Sequence, residues 1–492
     1  AMRVVVIGAG LGGLGVALRL QGAGHEVTVV DRRERPGGRA YQLRDHDYTW
    51  DMGPSLLTMP WVLEETFAAG GLDLHREVTL RRLEPLYRIR WAEDERHLDF
   101  WSDRERLREE IARFSSADAA RLDAFLDAVR PIYEEGILAA GRQSFLRARD
   151  FVALLPTMLR LGAALPLHRF VARYFEHPRI REAFSFHSLF IGGDPFRVPA
   201  IYAALVYLQV VDGGWYAQGG TYSIVEAMAR PLDVRCGVAV ERIERSGDRR
   251  GGGGEVRGVI LADGERIPAD VVVSNADVLS THELLGRRAP LRRLTPTMSC
   301  YLLFLGTNRT YPELLHHTLL LGRDYRETIT EVTRGRSVPH RLSTYVHTPS
   351  RTEPGMAAPG GDSIYALLPV PNLRAPIDWR TEARPLRDRL VADYERSYGL
   401  EGLADSIVVE HEMTPEDFRS ELGAVDGNAF AVEPTLHQSA YFRQPNRDRS
   451  VDGLYYVGGG THPGAGVPGV LLGAEVTAKL IEGDRARAPL AA

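Results

Sequence analysis

Four residues near the N-terminus have the types and the spacing to hold a dinucleotide: Gly8, Gly10, Gly13 and Asp31. Gly8 permits a tight turn, Gly10 lets backbone approach a pyrophosphate, and Gly13 allows close helix–strand packing. A helix starting behind such a turn presents free N–H groups and a positive dipole end to phosphate. Asp31 is placed to accept hydrogen bonds from ribose hydroxyls, and Arg32 beside it would ordinarily suggest a 2′-phosphate there. A second glycine pair, in Arg35-Pro36-Gly37-Gly38-Arg39, brings another stretch of backbone close. Gly38 suits it to a longer dinucleotide, with Arg39 available to phosphate oxygens. Far along the chain, Val457-Gly458-Gly459-Gly460-Thr461-His462-Pro463-Gly464-Ala465-Gly466-Val467-Pro468 forms a second glycine-rich turn. It leads into a helix whose first turn accommodates Pro468, and whose N-terminus can stabilise developing negative charge.

The elements that must position these residues are legible around them. Residues 3–7, RVVVI, form a β-branched run of the kind a strand buried on both faces shows. A helical stretch follows to Gly22 and Gly24, then the strand EVTVV ending on Asp31. This context turns a weak glycine pattern into a strong one. Residues from about 60 to 185 read as helical, with amphipathic stretches at 104–113 and 119–130. Strands are expected at 234–243 and 255–267 around a glycine-rich tip at 247–254, at 269–274, and within 453–460. The nucleotide-binding core is thus expected to assemble from three separated segments.

The 492-residue composition is that of an ordinary globular chain, 25% charged with net charge −5. Lys479 is the only lysine; the other 59 cationic side chains are arginines. Schiff-base chemistry, a phosphate-loop lysine and lysine-rich nucleic-acid arms are therefore excluded. Two cysteines, Cys236 and Cys300, form neither a disulfide framework nor a metal-ligand pattern, and no metal site is expected. Neither a secretory signal nor an apolar run long enough to span a bilayer is read, which points to a cytoplasmic location.

The N-terminal segment resembles the two-dinucleotide-binding-domain flavoproteins, among them amine oxidases, Rab GDP-dissociation inhibitors and carotenoid desaturases. The C-terminal glycine run is similar to that of bacterial-type phytoene desaturases. So are Phe186-His187-Ser188-Leu189-Phe190-Ile191-Gly192-Gly193-Asp194-Pro195-Phe196, Gly213-Gly214-Trp215-Tyr216 with Gly219-Gly220, and Val272-Val273-Ser274-Asn275-Ala276-Asp277. His316-His317-Thr318, Pro369-Val370-Pro371, Thr414-Pro415-Glu416-Asp417-Phe418 and Gln438-Ser439-Ala440-Tyr441-Phe442-Arg443 continue the likeness in family order. Departures are Ala217 where proline is usual, Gly459 where alanine is usual, and Asp31 in place of glutamate; they leave substrate length and the number of desaturation steps open.

The resemblance implies bound FAD, contacted by Gly8, Gly10, Gly13, Asp31, Arg32, Gly38, Arg39, Pro54, Ser55, Val238, Gly458, Gly460, Gly466 and Val467. It implies an α/β fold: a Rossmann-type FAD-binding domain with an inserted mixed α+β substrate domain and a helical, membrane-facing part. The FAD-binding segments fall at 1–75, 216–290 and 431–492, the insertions at 76–215 and 291–430. The implied reaction is desaturation of phytoene toward lycopene, with oxygen or a membrane quinone reoxidising the flavin. Rival readings are a diapophytoene desaturase, a carotenoid isomerase or ketolase, an amine oxidase, or a lipid carrier without redox chemistry.

A C40 hydrocarbon offers nothing to hydrogen-bond, so its binding must come from apolar area. Phe184, Phe186, Leu189, Phe190, Tyr202, Leu205, Tyr207, Leu208, Trp215 and Tyr216 cluster suitably, although each also suits an ordinary core. Asp194, His187, Glu433 and His462 are the candidates for accepting a proton, and water or the flavin could serve instead. Residues 151–167, FVALLPTMLRLGAALPL, are bordered by Arg147, Arg149, Arg169 and Arg173, with Arg160 inside. That suits an interfacial helix on anionic lipid, peripheral to the cell membrane.

Overall fold

The computed structural model describes residues 1–246, 253–288 and 294–487. In chain order the elements that build the site begin with strand β1 (Arg3–Ile7), helix α1 (Leu11–Gly22) and strand β2 (Glu26–Asp31). A hairpin, β3 (Tyr87–Trp91) and β4 (Asp94–Phe100), and helix α2 (Ala148–Arg160) follow. Next come β5 (Asp233–Cys236), β6 (Val271–Ser274), β7 (Ser299–Thr307), β8 (His317–Leu321) and β9 (Thr344–His347). Strands β10 (Ser363–Val370), β11 (Ile407–Met413) and β12 (Leu454–Tyr456) and helix α3 (Val467–Arg487) complete the set.

Five strands form a wholly parallel sheet in the order β12-β6-β1-β2-β5. Its central strands are apolar on both faces, as the uninterrupted valine runs require. Helices α1 and α3 pack against each other on one face, where Leu14, Leu18 and Leu471 are fully buried. The close approach uses glycine: a Cβ on Gly15 would lie 2.9 Å from Leu471 Cδ2.

The second sheet has seven strands in the order β11-β7-β10-β9-β8-β3-β4, antiparallel except for the β8–β3 pair. Strands β7 and β10 are buried along most of their length. A smaller sheet holds residues 240–245, 254–261, 266–268 and 451–452.

Two sequence expectations are corrected. The stretch 60–185 is not helical throughout, because 80–83 pairs with 214–217 and β3 and β4 join the seven-stranded sheet. In β3, Tyr87, Ile89 and Trp91 turn inward while Arg88 and Arg90 are only half-buried, a period-two pattern hidden among arginines. The expected strand 234–243 is two strands in two sheets. It breaks at Gly237, whose φ of +81° turns the chain from β5 into residues 240–245. Residues 247–252 of the glycine-rich tip lie outside the described residues. Among the described residues no helix is long and apolar enough to cross a membrane.

Candidate active site

Helix α1 sets the polar end of the site. Its cap residue is Gly10, so no side chain occupies the first-turn amides, which stay available to an outside anion. The turn is closed so tightly that a Cβ on Gly13 would lie 2.1 Å from the Gly8 carbonyl oxygen. A Cβ on Gly10 would lie 2.8 Å from Asn275 Nδ2. Gly37 bridges back to Gly10, so two bare backbone segments face each other. A third arrives with Gly458 to Gly466, ahead of the N-terminus of α3.

These segments wall one end of a cavity of about 1040 Å³. Gly8, Gly10, Asp31, Arg32, Gly38, Arg39, Pro54, Ser55, Gly458, Gly460, Gly466 and Val467 all line it. Gly13 does not; it sits under the turn as packing. Val238 does not either. Its N–H donates to the Asp31 carbonyl at 3.2 Å, and Ala239 and Val240 make the wall there.

Several of these side chains hold the protein as well as facing the cavity. Asp31 accepts from the Ala9 N–H at 2.7 Å and the Arg33 N–H at 2.8 Å, which ties the glycine turn to the end of β2. Arg32 donates to the carbonyls of Ser420 and Glu421. Arg39 donates to the Ala429 carbonyl at 2.9 Å and to Asn428, and its burial lowers its pKa. Arg443 went unnoticed as a site residue. It is 3% exposed, lines the cavity, and donates to the carbonyls of Val432, Gln438, Gly459 and Thr461. One guanidinium thereby shapes the turn before α3. Arg443 was visible only as the end of the Gln438–Arg443 motif, which gave no role to the side chain. Asn275, which fills the space under Gly10 and Gly12, was visible only as part of a motif.

The other end of the cavity is apolar. Phe186, Leu189, Phe190, Tyr202, Leu205 and Leu208 line it from the helical side, and Leu319, Leu321, Tyr345 and Leu367 from the seven-stranded sheet. Phe184, Tyr207, Trp215 and Tyr216 belong to the surrounding core instead. Tyr345 is a polar interruption: its hydroxyl lies 2.5 Å from Ser55 Oγ and 2.6 Å from His317 Nδ1.

None of the four candidates for proton transfer is in the cavity wall. His187 is buried against Tyr87, 2.7 Å from its hydroxyl, and burial pushes its pKa down to about 3. His462 bonds the Ala140 carbonyl through Nε2 at 2.7 Å, and burial pushes it to about 4. Asp194 pairs with Arg334 at 3.0 Å and accepts from the Phe196 N–H. Glu433, raised by burial, faces Arg197 at 3.6 Å.

Bare glycine backbone at two helix N-termini, an acidic residue at the end of β2 and a long apolar extension fit a flavin dinucleotide rather than a compact nicotinamide site. The comparisons agree. The chain matches the family described as flavin containing amine oxidoreductase over residues 11–481. An oxidoreductase from Methanosarcina mazei shares the fold, with a TM-score of 0.65 at 19% identity over 98% of this chain and all of its own. The protein is thus an FAD-dependent oxidoreductase of mixed α/β, amine-oxidase-like fold. A lycopene-forming phytoene desaturase of Pseudescherichia vulneris is 40% identical over 98% of this chain and 99% of its own. A neurosporene-forming phytoene desaturase of Rhodobacter capsulatus is 37% identical over 97% and 94%. The chain belongs to the bacterial-type carotenoid desaturases.

Proposed function

We propose that this protein desaturates phytoene, introducing conjugated double bonds toward lycopene. The observation that carries the reading is the full-length likeness to lycopene-forming phytoene desaturases. The single cavity joining a dinucleotide end to an apolar end supports it. FAD, when bound, supplies the hydride acceptor. The first-turn amides of α1 would hold its pyrophosphate, and Asp31 its ribose. The N-terminus of α3 at Val467 would face the ring end, where negative charge develops. The apolar wall would orient the polyene and exclude water. With His187, Asp194, Glu433 and His462 engaged elsewhere, the released proton is left to water.

In this reading residues 1–75, 216–290 and 431–492 form the FAD-binding domain, and 76–215 and 291–430 the substrate and helical parts. The substrate is insoluble and must arrive from a bilayer. Helix α2 supports a peripheral membrane contact: Val152 is 59% and Leu159 69% exposed, beside Arg149 and Arg160. Co-flotation with anionic vesicles, lost in Arg149→Ala/Arg160→Ala, is the expected result; no co-flotation would remove the contact. Oxygen or a membrane quinone would reoxidise the flavin. Incubation with FAD and phytoene in liposomes, followed by product separation, tests the whole reading. New conjugated products are expected; unchanged phytoene would end it.

A further inference from the structure

Among the described residues, His316, His317 and His347 form one group in which one ring nitrogen of each lies within 4.8 Å of the others. All three are buried. The register of β8 and β9 sets His317 directly across from His347, with ring centroids 5.2 Å apart. Outward hydrogen bonds occupy one nitrogen on two of the rings. His316 Nδ1 lies 2.6 Å from Thr352 Oγ1, and His317 Nδ1 2.6 Å from the Tyr345 hydroxyl. When those Nδ1 atoms carry the protons, Nε2 of each ring keeps a free lone pair. His317 Nε2 and His347 Nδ1 have no hydrogen-bond partner although both are buried. His347 Nε2 lies 3.1 Å from His316 Nε2. Two orphaned nitrogens in one buried cluster are costly for dry histidines, and a shared cation would satisfy them.

We propose that His316, His317 and His347 are the ligands of a buried zinc-class divalent cation. Three imidazoles without a carboxylate suit zinc and its first-row neighbours and do not suit magnesium or calcium. Zinc binds imidazole nitrogen at about 2.0–2.1 Å, which sets tetrahedral donors roughly 3.4 Å apart. One nitrogen from each ring already lies within 4.8 Å of the other two, and small ring rotations bring the three onto one ion. Burial holds all three imidazoles below the ordinary histidine pKa, so protons do not compete with the metal at neutral pH.

The Tyr216 ring meets His316 edge-on at 4.6 Å, and its hydroxyl donates to Glu353 at 2.6 Å. The second-layer bond from His317 runs to Tyr345, so the ion would fix a hydroxyl of the cavity wall while staying out of the cavity itself. Its role is to clamp β8 to β9 and to position Tyr345.

The test is elemental analysis of untagged, flavin-loaded protein produced with zinc and freed of loosely bound metal by gel filtration with a weak chelator. About one zinc per chain is expected in the native protein. A drop of roughly ten-fold or more is expected in His317→Ala and His347→Ala at unchanged flavin content. In cobalt-grown protein, His316→Cys should keep the metal and gain a thiolate–cobalt charge-transfer band, which a merely structural histidine would not produce. Native protein that carries no zinc and takes none up when refolded with it would overturn the proposal. So would equal zinc in the native protein and in the His317→Ala/His347→Ala double variant, which marks the ion as adventitious.

Discussion

The five-stranded parallel sheet and the seven-stranded mixed sheet end on the same cavity but serve it with different parts of the residue. The parallel sheet contributes backbone. At Gly8, Gly10, Gly37, Gly38 and Gly458 the absence of a side chain is the functional feature, and an added Cβ would come within 2.7–3.3 Å of a neighbouring atom. The mixed sheet contributes side-chain area through Leu319, Leu321, Leu367 and Tyr345. Exact shape matters less there, because apolar contact is non-directional. The two halves should therefore respond differently to substitution: position by position at the nucleotide end, gradually at the apolar end.

The sharpest way to break that contrast is Gly13→Ala. Its methyl would sit 2.1 Å from the Gly8 carbonyl, which is backbone and cannot swing away. A loss of about 3 kcal/mol or more is expected, with bound flavin absent from the absorption spectrum. A variant that melts normally and binds FAD would show the turn to be looser than drawn. Next in size is Arg443→Met, which strips four carbonyls of their buried donor. A destabilisation of about 2–4 kcal/mol is expected in urea titration, with weakened flavin retention. Unchanged flavin affinity would separate this arginine from the turn before α3.

Acid tests the seam between the regions, because His462 on the C-terminal turn bonds Ala140 of the helical part. Its folded pKa of about 4 lies below the unfolded value of 6.5. Between those values the unfolded chain binds a proton that the folded one does not, so stability falls as pH drops from 6.5 toward 4. The contribution lost is about 3 kcal/mol, fully so below pH 4, and His462→Gln should make that part of the profile shallower, the remainder coming from buried histidines such as His187 and His316. At the apolar end, Phe190→Ala enlarges the cavity at a residue that is only half-buried. A loss of about 1 kcal/mol is expected, with flavin retained and the desaturation products redistributed. Loss of flavin there would erase the distinction between the two ends.

The same contrast explains what could be read from the chain. The polar end was legible because its requirements are local: RVVVI, the glycine turn and EVTVV-Asp31 specify each other within 31 residues. Its refinements were not. Arg443 sits in a quoted motif, but its bonds to the turn some sixteen residues on are a product of the fold, and Val238 yields the wall to Ala239 and Val240 through the bend at Gly237. In the mixed sheet, β3 pairs with β8, more than two hundred residues later in the chain. Its alternation in Tyr87-Arg88-Ile89-Arg90-Trp91 is masked by long arginines, so the segment read as helix. The pairing of His317 with His347 is likewise a product of register, and nothing in the spacing along the chain announces it.

One measurement bears directly on the central claim that a single cavity brings flavin and hydrocarbon together. FAD-loaded protein is mixed with phytoene-bearing liposomes in the absence of oxygen and quinone, and the flavin spectrum is followed. Bleaching of the oxidised flavin bands, with conjugated product accumulating in step with the flavin present, is the predicted result. A flavin that stays oxidised in the presence of phytoene would contradict it.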